Sequence, residues 1–246
     1  MEIYHDARVY DTGMITVVEI MGRNAGWLTA SAALASYKGN GPDLIYLPEV
    51  PFDLDAFMKK VEDIYAKNGK CIVAVSEGIK DKDGKYISEY GADLANSKDS
   101  FGHAQLGGLA SFLADEIKKK TGAKVRGIEL SLLQRCAAHC ASKTDIEESF
   151  SAGKAAVEYA VAGTTDKMVG FERSYENGKY KCNIKLFDLT VVANTEKKVP
   201  LEWLNETKDG LNEKFIEYAL PLIQGETDLL KEDGLPRFVR LKKVKA

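Results

Sequence analysis

Apolar runs of strand length alternate with longer amphipathic stretches over the first part of the chain. The first run, 14–21, is rich in β-branched residues, and the stretch from Trp27 onward has small and apolar residues on nearly all sides of a helix, which is typical of a helix buried against a sheet. Further strands are predicted at 44–49, 71–78 and 124–130, and further helices at 53–67 and 105–121. These alternations, with short connections, predict an α/β fold with a parallel sheet and flanking helices.

The pattern changes after Arg135. A helix is predicted at 144–162, and the dipeptide Asn177-Gly178 separates two strand-like runs, which is the strongest hairpin signal in the chain. We therefore predict a first domain at 1–134 and a second portion at 135–246 that contains a helix, a hairpin, helical pieces and a basic tail. Because this portion has no sheet large enough to be stable alone, we expect it to be the remainder of an incomplete second domain.

Composition narrows the class of function. The chain has 246 residues, of which 45% are hydrophobic, and its 34 basic and 37 acidic residues leave a net charge of only −3. We therefore expect a globular protein with a small-molecule partner, and neither a nucleic-acid nor a membrane partner. No apolar run reaches the roughly 18 to 20 residues of a membrane span, and no signal-peptide core follows Met1, so we predict a cytoplasmic protein.

The cysteines do not indicate a disulfide framework or a metal centre. Four cysteines at irregular spacing are too few for a disulfide scaffold, which predicts reduced thiols. In "CAAHC", Cys136, His139 and Cys140 fall on adjacent turns, as metal ligands can. A structural zinc site usually needs four ligands, and no second ligand pair occurs elsewhere in the chain, so we predict no metal site.

The turn after the first predicted strand is a candidate anion site. It reads Met21-Gly22-Arg23-Asn24-Ala25-Gly26. Its glycines allow close approach of a ligand to the backbone, the following helix should present unpaired N–H groups, and Arg23 adds a fork of donors. The alternative is that the glycines serve tight helix packing and that Arg23 is an ordinary surface residue.

Two further strand ends carry charged residues. Glu77 ends an otherwise apolar strand, where an ionised carboxylate can accept hydrogen bonds from sugar hydroxyls, although such an acid can equally be a helix cap or a solvated loop residue. Arg126 alternates with apolar neighbours and Arg135 follows the same strand; a surface ion pair is the alternative for Arg126. Since ligands of parallel sheets bind beyond the strand ends, we expect these residues to converge on a sugar phosphate.

Other ligand and reaction classes are excluded by missing motifs. No G-x-G-x-x-G follows a strand, which argues against a dinucleotide, and no G-x-S-x-G occurs, which argues against a nucleophilic hydrolase.

Several segments together resemble a known enzyme family. "VVEIMGRNAGWL", "AVSEG", "VRGIELSLLQR" and "TDIEESFSAGKAAVEYAVAG" resemble, in order and spacing, the C-terminal portion of a 6-phosphofructokinase. The Trp27 that follows M-G-R-N-A-G and the segment "QLGGLASFLADEIK" are most similar to the pyrophosphate-dependent branch of that family. The resemblance spans essentially the whole chain.

The resemblance implies that this chain carries the fructose 6-phosphate site. Met21, Gly22 and Arg23 match the sugar-phosphate motif of the family, which implies a catalytic role for Arg23 near the sugar phosphate or the transferred group. It also implies that Glu77 binds sugar hydroxyls. By the same resemblance Arg126 would reach the 6-phosphate, often of a neighbouring subunit, and Arg135 would hold that phosphate within its own subunit.

The chain also departs from the family pattern. Met14 stands where the family often has an arginine, and Leu132 where it often has a histidine or tyrosine.

The resemblance also implies what a complete enzyme would contain. Its donor loop, its catalytic aspartate and its Mg²⁺ site belong to an N-terminal portion, and the donor would be pyrophosphate or ATP. We therefore expect this chain alone to be inactive and the complete protein to be a homo-oligomer. Two alternatives are a non-catalytic module that binds a sugar phosphate and a structural subunit of a larger complex.

Overall fold

Parallel strands form the central sheet, as the alternating pattern predicts. The computed structural model describes residues 1–91 and 108–244. The sheet has the order β2-β3-β1-β4, and its strands are β1 (Met14–Ile20), β2 (Leu44–Tyr46), β3 (Lys70–Ser76) and β4 (Val125–Glu129). Each pair is parallel, and Ile20 at the end of β1 lies opposite Ser76 at the end of β3. The predicted fold class is confirmed.

Two helices cover one face of this sheet. Helix α4 (Leu54–Asn68) begins as predicted at Asp53, whose Oδ1 accepts a hydrogen bond from the Ala56 N–H at 2.9 Å, and it ends at Gly69 with a left-handed φ of 68°. Helix α5 (Leu109–Thr121) ends at Gly122 in the same way; the first part of its predicted range, 105–107, lies outside the described residues. The core on this face is built from buried side chains of both helices and of the sheet, among them Val17, Val73, Phe57, Leu113 and Ile117.

Shorter elements cover the other face. Helix α1 (Glu2–Arg8), which the sequence pattern did not indicate, precedes β1, and α2 (Trp27–Ala30) and α3 (Ala33–Ser36) follow it. The prediction of one long helix from Trp27 is wrong, because the N–H of Ala32 bonds to the carbonyl of Thr29 and interrupts the α-helical ladder with a tighter turn.

The stretch 195–220 packs on this same face. It contains a 3₁₀ turn at Leu201–Trp203 and helix α8 (Glu213–Ala219). Phe215 is 1% exposed in a cluster with Val18 and Ile20 of β1, and the Ile45 N–H bonds to the Asp209 carbonyl at 2.7 Å. Contacts divide the chain into one unit of 1–134 with 195–220 and another of 135–194 with 221–246. The predicted boundary therefore needs correction for 195–220, because its apolar side chains, Phe215 among them, are buried in one cluster with residues of the sheet.

The second unit has a helix and a hairpin. Helix α6 (Lys143–Val161) is capped by Ser142, whose Oγ accepts from the Asp145 N–H at 3.1 Å. The predicted hairpin is confirmed: β5 (Lys167–Glu176) pairs antiparallel with β6 (Lys179–Asp188), and Asn177 and Gly178 have the positive φ values of 52° and 75° that a two-residue turn needs. The remaining elements are α7 (Leu189–Val192), 3₁₀ turns at Ala138–Cys140 and Leu220–Ile223, and short strands β7 (Lys231–Glu232) and β8 (Leu235–Pro236).

This second unit has no buried core of its own among the described residues. Every buried hydrophobic residue of the described chain belongs to the first unit. One face of α6 instead exposes a stripe of apolar side chains at helical spacing: Ile146 is 47% exposed, Phe150 72%, Val157 64% and Val161 84%. No helix within the described ranges is both long and apolar enough to span a membrane.

Candidate functional site at the ends of two strands

The turn after β1 has a backbone that requires glycine. Gly22 has a φ of 149°, which side chains with a Cβ rarely adopt. A Cβ at this position would lie 2.8 Å from the carbonyl oxygen of Ala25 and 3.0 Å from the Oγ of Ser76. The turn is therefore closed tightly against the end of β3, and Gly22 has both a conformational and a steric reason to be there.

The carboxylate of Glu77 ties this turn to the neighbouring strand. The Oε1 of Glu77 accepts a hydrogen bond from the Gly22 N–H at 3.2 Å. The backbone N–H of Glu77 donates to the Ile20 carbonyl at 3.0 Å. Ser76 donates from Oγ to the Gly22 carbonyl at 2.5 Å. The structure thus brings Gly22 and Glu77 together, and Met21 and Arg23 flank this contact in the chain.

Close packing fixes the backbone of Arg23 as well. A Cβ on Gly78 would lie only 1.9 Å from the Arg23 carbonyl oxygen, so the two backbones are in direct contact. Met21 is held from a third direction, because its N–H donates to the Oε1 of Gln134 at 3.3 Å. Sequence reasoning missed Gln134; the available signal was its place beside Arg135, just after a strand end.

A buried glutamate, Glu19, lies near the end of β1, two residues before Met21. Glu19 is 6% exposed, and its Oε2 accepts from the Ala110 N–H at 2.9 Å, in the first turn of α5. Burial raises the pKa of Glu19, and the negative charges of Glu129 and Glu77 raise it further against the opposing backbone hydrogen bonds. Sequence reasoning missed this residue too, although a single charge inside the apolar run "ITVVEIM" was a usable signal.

The helix that follows the turn differs from the prediction. Helix α2 has a single turn of residues, Trp27–Ala30, with Gly26 as its N-cap. A helix this short carries only a small dipole, and the Met21 and Gly22 N–H groups are already bonded to Gln134 and Glu77. Anion binding through a helix end and free backbone donors, as expected from the sequence, is therefore not supported. The turn also carries the guanidinium of Arg23, which can donate to phosphate oxygens.

Of the remaining two arginines, Arg126 lies on β4 away from the turn, and Arg135 belongs to the second unit. Arg126 lies opposite Thr16 on β1, four residues before Ile20, or about 13 Å along the strand at roughly 3.3 Å per residue. Its Nη1 lies 3.6 Å from the Oδ2 of Asp6, and the Arg126 side chain is 47% exposed. Arg135 ends a 3₁₀ turn (Ser131–Arg135) and is the first residue of the second unit. Within the first unit, Arg126 therefore does not converge with Gly22 and Glu77, while the convergence of Arg23, Glu77 and Arg135 stays a prediction.

The described residues do not form a cluster of metal ligands. Within 1–91 and 108–244, no group of three histidine, cysteine, aspartate or glutamate side chains is arranged to hold an ion. Cys136 and Cys140 are exposed free thiols. Since Mg²⁺ is usually held by one or two carboxylates together with substrate phosphates, this finding does not concern the ion of a complete enzyme, and none of the chemistry below depends on it.

Comparison with known proteins adds evidence from outside the chain. A family profile described as Phosphofructokinase matches residues 2–184. The chain is 45% identical to a pyrophosphate--fructose 6-phosphate 1-phosphotransferase of Xanthomonas campestris pv. campestris (strain B100), over 94% of this chain and 54% of that protein. It is 40% identical to the protein of the same description from Halomonas elongata, over 93% of this chain and 54% of that protein.

Solved structures agree with these sequences. The crystal structure of a pyrophosphate-dependent phosphofructokinase from Nitrosospira multiformis superimposes on 99% of this chain, with a TM-score of 0.81 and 36% identity, and the match covers 56% of that protein. A pyrophosphate-dependent phosphofructokinase from Marinobacter aquaeolei gives a TM-score of 0.80 at 31% identity, over 58% of its length. The chain spans about half the length of the curated relatives it matches.

Proposed function

Since the chain belongs to the phosphofructokinase family, we propose that it supplies the fructose 6-phosphate site of a pyrophosphate-dependent phosphofructokinase. The complete enzyme would transfer a phosphoryl group from pyrophosphate to the 1-hydroxyl of fructose 6-phosphate. The names of the relatives favour pyrophosphate over ATP as the donor. The observation that carries the proposal is the joining of the Met21-Gly22-Arg23 turn to Glu77 at the ends of two adjacent strands.

The side chains of Glu77 and Arg23 would each bind a different part of the substrate. An ionised carboxylate has about four lone-pair sites, and Glu77 gives one of its oxygens to the Gly22 N–H, which leaves acceptors for sugar hydroxyls. Arg23 would bind phosphoryl oxygens through its guanidinium, whose fork of donors matches phosphate geometry. A positive group at this place would also stabilise the charge that spreads over the transferred phosphoryl oxygens.

The other two arginines would contact the 6-phosphate. Arg126 is on the edge strand of the sheet, half exposed, which supports a role in the phosphate site of a neighbouring subunit. Arg135 would hold the 6-phosphate of its own subunit. An oligomer, as the family resemblance implies, would then be needed for full substrate affinity.

The chain would correspond to the C-terminal portion of the enzyme. The exposed apolar stripe of α6 and the lack of a buried core in the second unit support a further domain that covers this surface. That domain would bind the donor and Mg²⁺ and carry the catalytic aspartate. The 246-residue chain alone would then be inactive.

Binding of fructose 6-phosphate to the purified chain tests the proposal. A titration followed by backbone amide shifts should move the signals of the 21–26 turn and of Glu77, and Arg23→Ala should abolish the saturable shift. Arg240→Ala removes the same charge from an exposed position near the C-terminus and should leave binding unchanged. Shifts confined to other regions, or equal losses in both variants, would contradict the assignment of this site.

Turnover is the second test. With fructose 6-phosphate, pyrophosphate and Mg²⁺, the chain alone should form no fructose 1,6-bisphosphate. Metal-dependent product that Arg23→Ala abolishes would show that the chain is active without a further domain.

A non-catalytic sugar-phosphate module is the second candidate. The contact of Glu77 with the Gly22 turn would serve such a module equally well. Such a module would bind fructose 6-phosphate tightly on its own, whereas the proposed half-site would bind weakly because its phosphate contacts are incomplete. Isothermal titration calorimetry separates the two, since a dissociation constant near 1 μM corresponds to about −8 kcal/mol and one near 1 mM to about −4 kcal/mol.

A further inference from the structure

The carboxylate of Glu49 binds the last residue of the Met21–Gly26 turn and has no role in the proposed function above. Glu49 follows β2, and its Oε1 accepts a hydrogen bond from the Gly26 N–H at 2.9 Å. Gly26 is buried and is the N-cap of α2. A Cβ on Gly26 would lie 2.8 Å from Oε2 of Glu49 and 2.9 Å from the side chain of Leu47. The carboxylate therefore packs against the end of the turn without room for any side chain there.

The same oxygen binds a distant segment of the first unit. Oε1 of Glu49 also accepts from the Val199 N–H at 2.9 Å, and Val199 is 1% exposed. Next to this contact, the indole Nε1 of Trp27 donates to the Lys197 carbonyl at 2.7 Å. The ring of Trp27 packs against Trp203 and Tyr218, with centroids 6.0 and 5.3 Å apart. One carboxylate oxygen thus joins the turn, β2 and the 195–220 segment.

The energetics of Glu49 indicate a positional task. Its Oε2 is enclosed and accepts no hydrogen bond from the part of the chain that the structure describes. An enclosed polar oxygen without a donor is costly, and a hydrophobic residue would avoid that cost. What Glu49 provides instead is an acceptor shared by two N–H groups, which would otherwise lose their partner.

We infer that Glu49 is a positioning residue that fixes the Met21–Gly26 turn, and with it Arg23, for fructose 6-phosphate. The inference rests on the proposed function, because the turn is the proposed sugar-phosphate site. The turn is then anchored at its start by Glu77 and at its end by Glu49, while the 195–220 segment holds the far side. Glu49 does not touch the substrate; it acts through the backbone of Gly26.

Three variants of the 246-residue chain test this role by titration with fructose 6-phosphate. Glu49→Ala should bind about tenfold to 100-fold more weakly, since a displaced Arg23 would weaken its charge-assisted hydrogen bonds to the phosphate. Glu49→Gln should stay within about threefold of the wild type, because its amide oxygen can still accept from both N–H groups. Asp53→Ala removes the cap of α4 and destabilises the chain, but it should leave the affinity unchanged.

A purely structural role for Glu49 gives a different pattern. It would lower the thermal midpoint of Glu49→Ala without changing its affinity, as expected for Asp53→Ala, and that result would overturn the inference. Wild-type affinity in Glu49→Ala, or equal weakening in Glu49→Gln, would also overturn it.

Amide exchange keeps the test decisive if the wild type does not bind fructose 6-phosphate. That result would refute the proposed function, and Glu49 would then be judged on the Gly26 and Val199 amides. Both should lose protection together in Glu49→Ala and keep it in Glu49→Gln. Protected amides in Glu49→Ala would show that the carboxylate does not hold the turn.

Discussion

Replacement of Gly78 by alanine should displace the backbone of Arg23. The new Cβ would lie 1.9 Å from the Arg23 carbonyl oxygen and 2.4 Å from its carbonyl carbon. Cβ contacts under 3.0 Å essentially do not occur, so the two groups must separate by at least 3.0 − 1.9 = 1.1 Å. The Arg23 atoms belong to the backbone, and the position of a Cβ is fixed by its own backbone, so neither group can move aside by a change of rotamer.

The expected cost follows from this displacement. Overpacking of a tight site costs about 1–3 kcal/mol. With a urea dependence of roughly 2 kcal/mol per molar, a loss of about 2 kcal/mol lowers the unfolding midpoint by about 1 M. The same shift moves Arg23 relative to Glu77, and we expect binding of fructose 6-phosphate to weaken by about tenfold to 100-fold.

Urea unfolding followed by tryptophan fluorescence measures the stability change, because both tryptophans, Trp27 and Trp203, lie in the first unit. Gly153→Ala is the matched control: a Cβ there meets nothing within 4 Å, and alanine favours the helix by about 0.5–1 kcal/mol. It should not lower the midpoint. If Gly78→Ala unfolds and binds like the wild type, Gly78 and Arg23 are not packed as described.

Three other substitutions test the charges and caps of the fold. Burial raises the pKa of Glu19 above 4.5, so the folded chain keeps a proton that the unfolded chain releases, and stability is lost as pH rises through the folded pKa. Glu19→Gln should therefore gain stability relative to the wild type in urea titrations from about pH 4.5 to neutral pH, and an advantage that shrinks over this range would refute the reasoning. Burial opposes ionisation of Asp209, but hydrogen bonds led by that of Lys60 outweigh it and lower its pKa below 3.8. Asp209→Ala should cost about 1.5–3 kcal/mol at neutral pH, and its deficit should diminish below pH 3.8, where the wild type loses the ionised form; a deficit independent of pH would argue against the ion pair. Ser142→Ala should cost the N-cap of α6 about 1 kcal/mol, seen as a lower melting temperature by circular dichroism, and an unchanged melting curve would contradict that cap.

Several local elements of this chain could be predicted from its sequence. The strand at Met14–Ile20, the capped start of α4 at Asp53 and the hairpin at Asn177-Gly178 agree with the predictions. Each depends on residues only a few positions apart, whose periodicity or turn conformation acts within one element. The expectation that the Met21–Gly26 turn and Glu77 lie at one edge of the sheet came from a different rule, because parallel strands bring their carboxyl ends to one edge; the hydrogen bond between Gly22 and Glu77 was not predicted.

Tertiary packing decided what the sequence left open. Packing buries 195–220 against the sheet of the first unit and pairs Arg126 with Thr16, away from the Gly22 turn. It also places Glu49 between the N–H groups of Gly26 and Val199, which are far apart in the chain. These outcomes depend on which surfaces pack together. A backbone N–H occurs in every residue except proline, so the type of the donor residue does not show that it bonds to Glu49. The sequence by itself therefore determined the strands of the sheet, the long helices and the family, while the break after α2 and the contacts that hold the site were determined by how those elements pack.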